Sequence, residues 1–311
     1  MPLVIETSET NQICLQELIG RLDGDLDTRC HDSMAAAAVH LKALANNRSF
    51  LADAVARELK DLATMQRGNT YTPQVIMLHL SPCKNYFLRA NIWPSANDAV
   101  MQASGPDPFF YHKPHDHNFN FVTVGYHGPG YWSDYFEYDY DKVAGYAGED
   151  MGLRFVERSA LSEGKVMLYR AFVDVHDQLP ADELSISLNI MENTLRPVVM
   201  DQYAADTAAG RIKRMVNRNN MVCVLSVAAA IGDENTVEII DHIARKHPNP
   251  RIRFAALRGL GSRIASPDER VECLLRGMSD DALLVRESTR LEVAKLAAAR
   301  TGQAGVRHAA A

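Results

Sequence analysis

The sequence predicts an α+β chain: a central β-barrel or sandwich, with a helical segment before it and helical repeats after it. Three observations carry this. Residues 10–66 repeat their apolar positions at helical spacing. From Tyr71 to Met191 the chain breaks into short, aromatic β-type runs. Beyond residue 200 the aromatic residues almost vanish and an Ala/Leu-rich helical pattern returns. A chain of 311 residues exceeds the usual single domain, so these composition changes mark expected units at 1–70, 71–198 and 199–311.

In the first segment Ile13, Leu15, Leu18 and Ile19 recur at helical spacing. Val39, Leu41 and Leu44 form a stripe on an Ala-rich helix over 34–44, and Leu51, Val55, Leu59, Leu62 and Met65 continue the pattern. In the second, β-type runs cover 75–80, 86–93, 119–126, 132–140, 153–159, 165–172 and 184–190. Gly/Pro-rich turns separate them, of which Gly128-Pro129-Gly130 is the clearest hairpin. In the third, an apolar-Arg pair opens two Ala/Leu-rich helices, at Ile252-Arg253 and Val285-Arg286, with a degenerate third copy at Val216-Asn217-Arg218. A period in the low thirties belongs to stacked helical pairs. The segment resembles HEAT-type repeats, with the Arg expected to close on a turn Asp such as Asp280 or Asp281. The residues from Arg300 to Ala311 are expected to fray.

Composition narrows the function. A formal charge of -6 disfavours a nucleic-acid partner, and the short basic run Arg211 to Arg218 reads better as a helix face. Five scattered cysteines, never in Cys-x-x-Cys, suit reduced thiols rather than a disulfide framework or a thiolate zinc site. The longest apolar stretch, Met221 to Ile231, is too short to span a bilayer, and no signal-peptide pattern opens the chain. A cytoplasmic protein with no membrane partner is expected.

The chemistry concentrates in Tyr111-His112-Lys113-Pro114-His115-Asp116-His117 and in Asp174-Val175-His176-Asp177. Side chains alternate along a strand, so His115 and His117 share a face while Asp116 turns away. Two imidazoles joined by a third from a later strand can grip a first-row metal and leave positions open for substrate or dioxygen. His112 is the alternative ligand, but Lys113-Pro114 interrupts its alternation with His115. His127 lies at a strand end beside Gly128, where a non-ligand role is the simpler reading.

These two motifs resemble those of the cupin superfamily, whose double-stranded β-helix carries its metal ligands on two short stretches. His115-x-His117 and the apolar strand ending at Gly128 look like the first. Gly164, His176 and the strand Ser185 to Ile190 look like the second. Most cupins add a Glu four or five residues after the second His, where this chain has Phe121 and Val122. Both histidine elements without the Glu resemble the thiol dioxygenases, the cysteine dioxygenase type. The resemblance covers well under half the chain. It implies His115, His117 and His176 as ligands of Fe(II), although imidazole suits Fe, Ni, Cu and Zn alike.

Around that centre Asn189 lies on the returning strand, and Tyr126, Tyr169, Trp132 and Phe121 are expected near the pocket. Arg89, in the middle of an apolar strand, is the best fork for a substrate carboxylate, with Arg170 the alternative. The thiol dioxygenases carry a Tyr near the iron in the last motif strand. Here that neighbourhood reads Asn189-Ile190-Met191, a departure that argues against cysteine itself as substrate. The expectation is a mononuclear non-haem Fe(II) oxygenase for a small thiol- or amino-acid-like substrate and dioxygen, with Arg89, Asn189 and Tyr126 serving the chemistry. The rival is a cupin-type metal or ligand sensor whose helical repeats bind a protein partner. Those repeats would equally serve a homodimer.

Overall fold

The structure, a computed structural model, describes residues 1–60, 66, 69–72, 74–217 and 220–300, the last without its side chain. Leu62 and Met65 of the expected stripe, Arg218 of the degenerate repeat and the tail beyond Arg300 lie outside the described residues. The described chain divides into two compact units, one of residues 1–140 with 150–216 and one of residues 141–149 with those from 217 onward.

The first unit begins with strand β1 (Leu3–Val4) and helices α1 (Leu15–Asp25), α2 (His31–Asn46) and α3 (Phe50–Lys60). Strands β2 (Val75–Leu80) and β3 (Tyr86–Trp93) follow, then α4 (Ala99–Ser104), β4 (His115–Asp116), β5 (Phe121–His127) and β6 (Trp132–Glu137). The unit closes with β7 (Arg154–Ala160), β8 (Val166–Tyr169), β9 (Asp174–Leu179), β10 (Ser185–Glu192), α5 (Arg196–Val199), β11 (Tyr203–Asp206) and β12 (Arg211–Met215).

Two antiparallel six-stranded sheets result, ordered β1-β8-β5-β10-β3-β2 and β12-β11-β4-β9-β6-β7. From β3 to β10 the chain crosses between the sheets at each step except the β6–β7 hairpin. The eight strands therefore interleave as β8-β5-β10-β3 against β4-β9-β6-β7. This is the strand order of a jelly roll, the double-stranded β-helix that the two histidine motifs led us to expect.

Period-two alternation assigns each face of the first sheet. Tyr86, Leu88 and Ala90 of β3, Val122, Val124 and Tyr126 of β5, Val166 and Leu168 of β8, and Leu188 and Ile190 of β10 face one way. They share a core with Leu18, Leu22, Met34, Leu41 and Leu44 of the helices. Phe87, Trp93, Phe121, Met167, Tyr169 and Met191 face the other way, into the barrel, and meet Tyr135 of the opposite sheet. The N-terminal helices are thus the covering layer of one sheet. At about 25 cal/mol per Å² of apolar surface, each fully buried Leu in that layer contributes roughly 1.5–3 kcal/mol. The turn at Gly128-Pro129-Gly130 is not the expected hairpin, because β5 and β6 lie in different sheets and it carries the chain across between them. Gly128 and Gly130 take φ of 77° and 90° there, a conformation that glycine reaches without the clash a Cβ brings.

Strands β11 and β12 correct two expectations. Residues 203–215 extend the second sheet, so the β-unit runs past the expected boundary at 198. The basic run at Arg211–Met215 is an edge strand rather than a helix face. Lys and Arg on an edge discourage pairing with another chain.

The second unit holds helices α6 (Asn220–Ile231), α7 (Glu234–Lys246), α8 (Pro250–Ser262), α9 (Pro267–Leu275) and α10 (Leu283–Arg300). Its core joins Leu225 and Ala229 of α6, Ile240 of α7 and Ile252, Ala256 and Leu260 of α8. The two apolar-Arg pairs make equivalent bonds. The Arg253 Nη1 donates to the carbonyls of His247 and Pro248, and the Arg286 Nη1 to those of Asp280 and Asp281. Each guanidinium thus caps the turn before its own helix. Arg253 also grips Asp280 with two bonds of 2.8 and 2.7 Å. Among the described residues no helix is long and apolar enough to cross a membrane.

Candidate metal centre and its cavity

His115 and His176 face each other across the β4–β9 ladder, and His117 follows one residue beyond β4. Although β4 is only two residues long, the Phe172 N–H donates to the His117 carbonyl at 2.8 Å, which carries the pairing one residue further. The three rings converge, with one ring nitrogen from each within 4.8 Å of the others.

The rings are buried and hold their protons weakly. Burial lowers the pKa of His115, and it lowers those of His117 and His176 well below the usual imidazole value; neighbouring imidazoles add to the effect at these two. Each shift favours the neutral form that a ligand requires. His115 Nδ1 sits 2.6 Å from the Lys113 carbonyl, which sets the tautomer and leaves Nε2 as the free lone pair. Both nitrogens of His176 and Nδ1 of His117 are buried without a hydrogen-bond partner among the described residues. An unpaired buried polar group costs about 1–3 kcal/mol. A first-row cation shared by the three imidazoles would take up one nitrogen of each ring and relieve part of that cost, so the residues fit the metal that the motifs imply.

Asp116 turns away, as alternation requires. It accepts from the Tyr138 hydroxyl and, at 2.6 Å, from the Tyr203 N–H, and burial pushes its carboxyl up to about 7. No carboxylate joins the histidine cluster among the described residues. His112 donates its backbone N–H to Gln178 and stays outside the cluster, as does His127, exposed at the end of β5.

The cluster opens on a cavity of about 270 Å³ in the barrel. Arg89 and Asn189 sit directly opposite each other on β3 and β10, and both line it. Burial depresses the Arg89 pKa, and its guanidinium lies 5.2 Å from the centroid of the Tyr71 ring. No carboxylate pairs with it among the described residues. Phe121 stacks on Tyr169 at 4.2 Å, and both rings pack against His117.

Three expectations change here. Tyr126 is not in the cavity. It occupies the helix-facing parity of β5, its hydroxyl donating to the carbonyls of Asn47 (3.2 Å) and Arg48 (2.8 Å). Arg170 is spent on Asp174 and Glu137, at 2.7 and 2.8 Å, and offers no free fork. Trp132 lies at the surface and bonds Asp182. Asn91, Gln178 and Tyr131 line the cavity without having been singled out. The parity that selects Arg89 and His176 also selects Asn91 and Gln178, so that signal was available.

The fold and the buried histidines define a class, a jelly-roll protein with a three-imidazole centre at the base of a cavity. No known family model and no curated protein sequence matches the chain. Among solved structures it is similar to a salicylate 1,2-dioxygenase from Pseudaminobacter salicylatoxidans, at 9% identity and a TM-score of 0.25 over 45% of this chain and 33% of that one. The chain thus spans a third of the dioxygenase. It is also similar to the DMSP lyase DddQ from Ruegeria pomeroyi DSS-3, at 10% identity and a TM-score of 0.23 over 62% and 79% of the two chains. Likenesses this distant decide nothing, and the fold rests on the strand order itself.

Proposed function

We propose that this chain is a mononuclear non-haem iron oxygenase for a small thiol- or amino-acid-like carboxylate that coordinates the metal. The observation that carries this reading is a buried cluster of three neutral imidazoles, with no carboxylate among them, facing an unpaired guanidinium across one cavity. His115, His117 and His176 would hold the ion. Bound there, Fe(II) supplies a Lewis-acid centre with positions open to substrate and dioxygen.

The chain's own residues do the rest. Three neutral ligands leave the ion its full charge, which favours a thiolate or carboxylate. Arg89, with no internal counterion among the described residues, orients the substrate's anionic end by a two-pronged hydrogen bond. Phe121, Trp93 and Met191 give the cavity an apolar wall, which strengthens the charge interactions of a bound substrate.

The test is metal content after anaerobic purification, for the native chain and for His115→Ala and His176→Ala, followed by oxygen uptake with thiols and amino-acid derivatives. About one iron per chain, lost in both variants, is expected, since even losses outside the ligand shell cost roughly 10–100-fold in affinity. Metal retained in both variants would sink the assignment.

A sensor or scaffold is favoured by one observation. Met221, Val224, Val227 and Ile231 of α6 are all exposed, an apolar strip suited to a protein partner. Under that reading the second unit is a HEAT-type recognition module, and iron binds without oxygen consumption.

A further inference from the structure

Resting on the oxygenase reading, we infer that the substrate is an N-acyl amino acid rather than a free one, a chemistry that the C-terminal residue of a peptide also presents. Arg89, Asn91 and Asn189 form the recognition surface.

The three side chains are neighbours by construction. Arg89 and Asn91 share a face of β3, and Asn189 of β10 pairs directly with Arg89. All three line the cavity opposite the histidines. Asn91 and Asn189 are only 5% and 3% exposed. The Asn91 and Asn189 Oδ1 atoms and the Arg89 Nε have no hydrogen-bond partner among the described residues. Ser187, which pairs directly with Asn91 on the same face, is by contrast already bound by the Trp93 Nε1 at 2.9 Å. Two buried carboxamides with unpaired oxygens, beside a partly buried guanidinium whose Nε is also unpaired, carry a desolvation cost. Their chemistry describes the ligand that repays them.

The guanidinium offers a fork of donors that matches a carboxylate. A carboxamide offers donors and an acceptor, the complement of the C=O and N–H of an amide. No Asp or Glu lines the cavity among the described residues. A free α-ammonium would therefore sit beside Arg89 with no anion to offset it, whereas an amide nitrogen brings no charge. The volume agrees. At about 30 Å³ per water the cavity holds roughly nine waters, which leaves room for an acyl group beyond an amino-acid core. It also opens outward past Tyr71 and Phe110, both partly exposed on its lining, so the acyl end can continue toward solvent as a peptide does.

The experiment is calorimetric binding to the full-length chain, metal-loaded and metal-free. The ligands are L-cysteine, N-acetyl-L-cysteine and the tripeptide Gly-Gly-Cys, with iron content recorded for every sample. The acetylated ligand should bind at least about tenfold more tightly than cysteine, the difference one well-made buried hydrogen bond supports. Asn91→Ala and Asn189→Ala should each erase most of that preference with iron content unchanged. Arg89→Gln should weaken all three ligands alike. A thermal melt of each variant separates lost binding from lost folding, and Asn91→Leu and Asn189→Leu provide a second pair should the alanine variants not fold. Tripeptide binding equal to that of the acetylated ligand assigns a peptide terminus; binding of the acetylated ligand alone assigns a free metabolite. Cysteine binding as tightly as its acetyl derivative, or a preference that survives both asparagine variants, overturns the inference. Iron present with no preference overturns it and leaves the oxygenase standing. A preference in a chain that binds no iron does the reverse.

Discussion

The two faces of one sheet differ in how completely they use their polar groups. On the helix-facing side Tyr126 donates to two backbone carbonyls and Tyr86 to Asp23, and the space between is filled by Leu, Val and Ile. On the cavity side of the same strands Arg89, Asn91 and Asn189 keep polar atoms without partners among the described residues. Folding alone nearly finishes the first face, where His79 Nε2 is left unpaired among the described residues. The other carries an unsatisfied cost that only a ligand offsets. A tightly folded chain keeps such groups where binding repays them.

The largest expected effect tests this contrast with two arginines. Arg170→Met removes the guanidinium partner of a fully buried Asp174, leaving it the Met1 ammonium at 3.3 Å, and should cost about 3 kcal/mol in urea unfolding. Arg89→Met removes a partly buried charge that has no carboxylate partner among the described residues, so stability should hold or rise while affinity for carboxylate ligands falls about tenfold or more. If Arg89→Met destabilised the fold as much as Arg170→Met, the cavity wall would be structural and the contrast would fail.

Tyr126→Phe sharpens it on a single strand. Loss of the bonds to Asn47 and Arg48 should cost about 1 kcal/mol, with iron content and ligand affinity unchanged. A drop in ligand binding would return Tyr126 to the site.

The smallest effect lies in the helical unit, where the Arg253–Asp280 pair is also fully used. Arg253 holds the Asp280 carboxyl below its usual pKa of 3.8. The folded value lies under the unfolded one, so the stabilisation is present above about pH 4 and fades as pH falls through the folded value. Wild type should therefore lose about 1 kcal/mol more than Asp280→Asn between pH 6 and pH 3, read by denaturant unfolding of the two proteins at both values. Equal pH dependence in both would show that the pair contributes nothing.

Much of this was legible in the residues. The β-runs expected at 75–80 and 86–93 are β2 and β3, because β-branched and aromatic residues between Gly/Pro turns leave little alternative. His115 and His117 share a face because alternation is a local property, and His176 joins them through the β4–β9 register. Tyr126 was misplaced for a reason that was equally local. It is five residues from Phe121, an odd separation on one strand, so the two cannot both face the cavity. Asn91 shares the parity of Arg89, so its face was legible; that its amide oxygen is unspent became visible only with its neighbours in place. The edge strand at Arg211–Met215 reads as helical because its alternating basic residues suit an exposed helix face as well as an exposed strand.

By itself the sequence determined most element types, the strands at 203–215 excepted, together with the pair of histidine-bearing stretches and the missing Glu, since each depends on neighbours within a few residues. The tertiary structure decided which arginine is spent, which face each tyrosine takes and which amides remain unpaired. Those outcomes depend on strands far apart in the chain, brought together by register, and hydrogen-bond saturation is a property of the assembled barrel rather than of any segment.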